Sequence, residues 1–479
     1  MEINEILQQR QAKLEALKAK GALVYPSVVP EHIAIAQALS DFQEGRKTSV
    51  CGRLMAKRQH GKATFLDLRD TTARLQLYLK EDAVDKNNLE VFENLDIADI
   101  VFAQGELFKT HTGEPTLKVE KIALLAKALR PLPEKWHGLK DIDLRYRQRY
   151  LDLISNEEVK KVFLARARIT RTIRDFLDAK GYLEVETPMM HHIAGGAAGR
   201  PFKTHHNEYN LDLFLRIAPE LYLKRLLVGG LDRVYEINRS FRNEGVSQKH
   251  NPEFTMLEVY AAYANYEEMM RLAEELITSV AKEVLGKTDF IYQGKAVDLR
   301  SPWQKISFSE LVKEKFAIEP GDEAEVMLKK LHAKGNALEA NKLTRSQIAK
   351  VIEDILEQEM SGNPTFVTDY FTNLCPLAKG KLDNPLISER FELYIAGLEL
   401  GNAYSELNDP AEQKKRFQEE LKDLTTQEKK KVDEDYCLAL EHGLPPAGGL
   451  GIGIDRLVML LTDQPSIRDV ILFPLLRPE

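Results

Sequence analysis

Residues 233–262, RVYEINRSFRNEGVSQKHNPEFTMLEVYAA, decide how this chain folds. Two strand-like segments, 233–242 and 253–261, are joined by a polar loop from Asn243 to Asn251. A connection this short makes an antiparallel hairpin, because parallel neighbours need a crossover of a dozen or more residues. The central sheet is therefore not a doubly wound parallel one, and the expected class is α+β. The period of two along 253–260 puts Phe254, Met256, Glu258 and Tyr260 on one face, and a carboxylate flanked by aromatics implies a pocket. Arg242 and Glu244 stand at the hairpin tip and His250 at the far end of the loop. An arginine at a strand end can grip a phosphate bidentately; an Arg242–Glu244 surface ion pair is the plainer alternative.

Outward from the hairpin, long helical patterns from residue 156 alternate with strands at 211–217, 233–242, 253–261 and 388–406, defining a large domain over 156–479. Within it, 321–361 reads as a charged helical insertion and 407–435 as a second polar helical stretch. Upstream, five short strands (47–57, 62–69, 72–80, 99–107, 115–126), with helical signals only between the third and fourth, suit an OB-type barrel over 45–126. Other small barrels share that signature. Residues 1–44 read as an amphipathic helix and connector, and 127–155 as a linker. Residues 127–150 suggest an extended hinge whose basic set (Lys127, Arg130, Lys135, Lys140, Arg145, Arg147, Arg149) could lie against RNA phosphates or serve as a solvated connector.

A chain of 479 residues exceeds what one hydrophobic core usually supports. No apolar run approaches the roughly 20 residues of a membrane span, and the N-terminus has no signal-peptide core. Cys51, Cys375 and Cys437 are too dispersed for a zinc cluster and too few for a disulfide framework, which fits a reducing cytoplasm. A net charge of −7 argues against bulk electrostatic wrapping of nucleic acid, so any RNA contact must be local.

Alternation along the barrel strands turns Leu66, Leu68, Leu75, Leu77 and Leu79 inward and leaves Phe65, Gln76 and Tyr78 outside. A ring beside an amide, with Arg58 near, suits splayed single-stranded bases, although ordinary outer-face packing explains the same pattern. Near the C-terminus, GGLGIGIDRLVMLL (448–461) reads as a glycine-rich turn entering a helix that carries Asp455 and Arg456. It could hold an anion, or its glycines could serve packing alone; a dinucleotide fold lacks room to follow it. RFELYIAGLELGNAYSEL (390–407) reads as one long strand bearing Glu392, Glu399 and Glu406, candidates for a hard cation or a substrate ammonium if not simply exposed. Strict alternation separates Glu392 from Glu399 unless the strand bulges, with Gly397 the candidate position. Asn402, Tyr404 and Glu406 share a face.

Together these segments resemble the three signature motifs of class II aminoacyl-tRNA synthetases, in GYLEVETPMM (181–190), FRNEGVSQKHNPEF (241–254) and GLGIGIDR (449–456). The whole chain is similar to the lysine-specific members. The resemblance implies an antiparallel-sheet catalytic domain behind an N-terminal OB-fold domain, and an aminoacyl-tRNA ligase using ATP, L-lysine and the lysine tRNA. It also implies a cytoplasmic homodimer formed through the first motif, with Pro188 near the symmetry axis. By the same resemblance Arg242 holds the α-phosphate and substrate carboxylate, Glu244 and Phe254 the adenine, and His250 and Arg456 the outer phosphates. Glu392 and Glu399 would take Mg²⁺. Glu220, in LRIAPELYLKRL (215–226), and Glu406 would bind the lysine side chain, with Tyr260 packing beside it. Glu258 and Asn402 would hold polar ends, while Gly196 closes over the ligand. Arg58, Phe65 and Gln76 would read the anticodon. Cys375 and Gly199 depart from the usual serine and alanine. Two alternatives remain at this stage: a paralogue that lysylates a translation factor, and a catalytically silent RNA-binding regulator.

Overall fold

The computed structural model describes residues 3–22, 24–133, 139–197, 199–335, 343–357, 360, 362–423 and 432–478, in two compact units, Met1–Lys140 and Asp141–Glu479. In the first, strands Lys47–His60, Ala63–Arg69, Arg74–Lys80, Pro115–Ala126 and Ile100–Lys109 close into a barrel in that order. The alternating leucines explain the closure: Leu66, Leu68, Leu75, Leu77 and Leu79 are at most 1% exposed. Each contributes about 1.5–3 kcal/mol relative to exposure. Helix Lys86–Glu93, capped by Asp85, lies between the third and fourth strands, and helix Ile3–Ala19 adds Leu17 to the barrel core.

At its two described ends the basic stretch departs from the extended hinge or solvated connector expected there. Lys127 is buried, its Nζ 2.6 Å from Asp96 and 2.8 Å from Asp99. Residues Ile142–Arg147 and Arg149–Ser155 are helical and belong to the second unit. Arg149 is fully buried, 2.6 Å from Asp152 and donating to the carbonyls of Arg468 and Leu472. An aspartate one turn along its own helix turns Arg149 inward, and Asp96 and Asp99, about thirty residues upstream, do the same for Lys127; a count of basic residues shows neither. Lys135 lies outside the described residues.

The second unit is built on an eight-stranded sheet in the order Gln304–Ser307, Thr365–Thr368, Arg390–Ile395, Leu398–Ser405, Ala447–Gly453, Glu253–Ala262, Arg233–Phe241, Leu183–Glu184. Only the two edge pairings are parallel. The central hairpin pairs Arg233 with Ala261 and Ser240 with Phe254. Alternation divides its two faces. Leu257, Val259, Leu450, Ile452, Leu393 and Ala403 pack against helices Glu157–Ala179, Tyr266–Leu285 and Ile454–Leu461. Their strand neighbours Glu258, Tyr260, Asn402 and Glu392 face the opposite side, where the site forms.

Residues 388–406 are not one strand but a hairpin, Arg390–Ile395 and Leu398–Ser405, turning at Ala396 (φ 52°) and Gly397 (φ 84°). Residues 447–453 are not a turn but a strand in mid-sheet. In the insertion, helices Ala324–Ala333 and Arg345–Glu357 share an apolar cluster with Phe308, Tyr370 and Tyr394; residues 336–342, 358, 359 and 361 lie outside the described set. The stretch 407–435 holds helix Pro410–Asp423 and the start of Glu434–Glu441, with 424–431 likewise outside. The expected strand 211–217 ends at Leu215.

Candidate active site

A cavity of about 1090 Å³ opens on the sheet face opposite the helices, lined by Gly196, Glu220, Arg242, Glu258, Tyr260, Glu392, Asn402 and Arg456 among others. Its floor is made by absence of side chains. In the strand Ala447–Gly453 the alternation sends Leu450 and Ile452 to the helical side and leaves Gly449, Gly451 and Gly453 below the cavity. A Cβ on Gly449 would lie 2.1 Å from Glu406 Oε1 and 2.4 Å from Tyr260 Cε1, so only glycine fits.

One end of the cavity carries the cationic side chains Arg242 and Arg456, with His250 beside them. The Arg242 guanidinium lies 5.0 Å from the Phe254 ring centre, and its buried Nε has no hydrogen-bond partner. Arg456 donates to the Glu399 carbonyl (2.6 Å) and carboxylate (3.0 Å) and lies 3.2 Å from His250 Nε2. The neighbouring Asp455 is tied elsewhere, accepting from Thr255 N and Arg166, so it anchors the helix and Arg456 points to the site. Glu244 stays on the exposed loop, accepting weakly from Arg200 N at 3.4 Å. No Arg242–Glu244 ion pair is found among the described residues.

Beside it the 390–405 hairpin solves the problem alternation posed for Glu392 and Glu399. Glu392 pairs with Asn402 and Tyr394 with Glu399, with a bulge between them, so both carboxylates face one side from adjacent strands. Glu392 is buried, accepts from Tyr370 (2.8 Å) and Tyr394 (2.6 Å), and pairs with Arg390. Burial, with repulsion from Glu353 and Glu399, raises its carboxyl to about 8 despite Arg390. Burial also works against Glu399, but Arg456 more than offsets it and holds that carboxyl below its usual range.

The other end is anionic. Glu220, Glu258 and Glu406 are all buried, and Tyr260 donates to Glu258 (2.8 Å) while Tyr404 donates to Glu220 (2.6 Å). Burial and the neighbouring Glu220 push Glu258 up to about 8; burial likewise raises Glu406 to about 8, even though Lys224 stands against it. Gly196 (φ +87°) closes this end, with room for a Cβ only 3.3 Å from Glu220.

The matches to known proteins cover the whole molecule. Residues 141–477 match the model of tRNA synthetases class II (D, K and N), and residues 48–125 that of the OB-fold nucleic acid binding domain. The chain is 51% identical to the lysine-tRNA ligase of Carboxydothermus hydrogenoformans over 100% of its own length and 99% of the relative's. It is 52% identical to those of Moorella thermoacetica (99% of this chain, 98% of the relative) and Pelotomaculum thermopropionicum (100% and 96%). The chain belongs to the lysine-tRNA ligase family of the class II tRNA synthetases.

Within that family frame, the OB-fold face carries Phe65 next to Tyr78 (ring centres 5.2 Å), which in turn meets Phe108 at 5.9 Å. Gln76 is one row away, its Oε1 accepting from Thr116 at 3.0 Å, and Arg58 makes a bidentate pair with Asp67 at 2.8 and 2.9 Å. Of the two departures, Cys375 is buried and takes the place of a hydroxyl by accepting from Arg390 (3.0 Å) and Ser388 (3.4 Å). An alanine at Gly199 would put its Cβ 3.2 Å from the Arg242 side chain. Sequence reasoning missed Lys224, which sits between Glu220 and Glu406, and Arg390 beside Glu392. The spacing of Lys224 four residues after Glu220, and of Arg390 two before Glu392 on a strand, was the available signal.

Proposed function

We propose that this enzyme activates L-lysine with ATP and transfers the lysyl group to the 3′ end of the lysine tRNA. The observation that carries the reading is the cavity's polarity: buried carboxylates at one end, Arg242 and Arg456 at the other. Lysine would lie with its ammonium groups among Glu220, Glu258 and Glu406, beside Tyr260 and Asn402 and under Gly196. Its carboxylate would point to Arg242. ATP would place its adenine between Phe254 and Arg456, near Glu244, and its outer phosphates at His250 and Arg456. None of these side chains need act as nucleophile. The substrate carboxylate attacks the α-phosphorus and pyrophosphate leaves; a tRNA ribose hydroxyl then attacks the adenylate carbonyl, breaking the mixed anhydride and releasing AMP. The protein contributes orientation and fixed positive charge where negative charge develops.

The pair Glu392 and Glu399 fits Mg²⁺. Both offer hard oxygen donors, and Glu392 is held above its usual range by burial and repulsion that a cation would relieve. Magnesium bound there would screen the ATP phosphates from the incoming carboxylate. In the chain itself, Arg390, Tyr370 and Tyr394 hold Glu392 in place, and Arg456 holds Glu399.

Lysine binding should depend on pH in a defined direction. Glu258 and Glu406 sit at about 8 without ligand, and two ammonium groups would hold both ionised. Binding therefore releases protons, so affinity should climb as pH rises towards about 8 and then level off. The free protein carries the opposite cost: carboxyls raised above their unfolded value favour folding least at high pH. Lysine should consequently raise the melting temperature more at pH 8 than at pH 6; a constant increment would contradict the assignment.

The OB-fold face would stack an anticodon base on Phe65, with Gln76 and Arg58 reading or steadying it. Phe65→Ala should weaken tRNA binding by about 1–3 kcal/mol and leave tRNA-independent pyrophosphate exchange unchanged. Loss of exchange in that variant would contradict the division of labour. A second copy of the chain would pair through the segment 181–190, where Leu183, Met189 and Met190 are about half exposed. The tRNA-reading domain would span 45–126 and the catalytic domain 156–479, with the helices from Ile142 to Ser155, between them in sequence, belonging to the second compact unit. No described helix is long and apolar enough to cross a membrane, and we place the reaction in the cytoplasm, where its tRNA is used.

A further inference from the structure

Lys224 lies one helical turn after Glu220 on helix Glu220–Val228, with a side chain that is 0% exposed. Its Nζ is 2.7 Å from Glu220 Oε1 and also pairs with Glu406 Oε2. The rings of Tyr404 and Tyr436 stand 5.5 and 6.0 Å from it. An ammonium buried this deeply is costly unless paired. Burial alone would neutralise it, yet Glu220 and Glu406 keep it charged well above the ordinary lysine range.

The two carboxylates are left half used. Glu220 spends Oε1 on both Lys224 and the Tyr404 hydroxyl. Glu406 ion-pairs with Lys224 through Oε2, neither of its buried oxygens has a hydrogen-bond partner, and Oε1 fills the space that a side chain on Gly449 would occupy. The groups around Lys224 are Glu220 on its own helix, Tyr404 and Glu406 from the adjacent strand and its end, and Tyr436 from helix Glu434–Glu441, with Glu258 and Tyr260 across the cavity. Three carboxylates stand against two cations, Lys224 and, beside Glu258, Arg242; with Arg242 matched to the substrate carboxylate, two negative charges are left for ammonium groups. A diamino acid brings two ammonium groups; an ordinary amino acid brings one.

We propose that Lys224 is a positioning and specificity residue of this site, tying down one oxygen each of Glu220 and Glu406 and trimming the pocket's charge to match the two ammonium groups of a diamino acid. The inference rests on the lysine-activation reading. Without Lys224, one of the three carboxyls would keep its proton when lysine binds, because three negative charges would face only two positive ones.

The test is calorimetric titration of L-lysine into the full-length protein and its Lys224→Met and Lys224→Gln variants between about pH 6 and about pH 9, with ATP binding measured alongside. Both variants should bind lysine about tenfold more weakly near neutral pH and shift the midpoint of the pH profile upward by about one unit, with ATP affinity unchanged. If the methionine variant does not fold, the glutamine variant, which keeps a polar group but not the charge, decides alone. A uniform loss of affinity with an unmoved midpoint would make Lys224 a purely structural residue and overturn the proposal, as would unchanged lysine binding. Failure of the unsubstituted protein to bind lysine at any pH would instead overturn the lysine reading itself, and this inference with it.

Discussion

Arg242→Ala is expected to lower lysine-dependent pyrophosphate exchange by about 10²–10³-fold while leaving the melting temperature almost unmoved. The two halves of that expectation have different sources. The rate loss follows from removing a fixed cation at the point where the adenylate's phosphate and the substrate carboxylate would meet. The small stability cost follows from the geometry: Arg242 Nε is buried without a hydrogen-bond partner, and the guanidinium's one close ring contact is Phe254. Burial, only partly offset by Glu244, Glu399 and Glu258, pulls its pKa below the usual arginine range, so the empty site carries an undercompensated charge. A variant that kept full exchange activity would remove Arg242 from the mechanism; one that unfolded would make it structural.

Glu220→Gln should abolish most lysine activation, by about 3–5 kcal/mol, which is roughly 10²–10³-fold or more in kcat/KM for lysine. The carboxylate serves two ammonium groups in this account, Lys224 at 2.7 Å and the substrate. Neutralising it leaves Lys224 with Glu406 as its remaining close counter-charge, so some thermal stability should go as well. ATP affinity, measured separately, should stay near that of the unsubstituted protein because Arg242, Phe254 and Arg456 are untouched. An unchanged dependence on lysine would refute the pocket.

The parts of this molecule that alternation governs were readable in the sequence. The barrel leucines point inward, and the hairpin at 233–262 pairs as its short loop required. Glu258 and Tyr260 share the cavity face for the same reason. Glycine misled where it was not a turn: Gly449, Gly451 and Gly453 also alternate, with Leu450 and Ile452 as partners, but a residue without a side chain gives periodicity nothing to display. The turn at Ala396 and Gly397 was missed for the converse reason. It lies inside an unbroken apolar run and lacks the Asn-Gly or Asp-Gly signal that marks a tight hairpin. That one turn is what brings Glu392 and Glu399 to the same side. Buried ion pairs were the hardest to see, because Lys127, Arg149 and Lys224 look like surface charges until the fold brings an aspartate or glutamate against each.

The central claim is that the anionic end of the cavity selects lysine for activation by ATP. The most direct measurement is ATP–pyrophosphate exchange with each of the standard amino acids in turn, in magnesium and without tRNA. Exchange with lysine alone is the result this account predicts. Exchange with aspartate or asparagine, or with no amino acid at all, would contradict it.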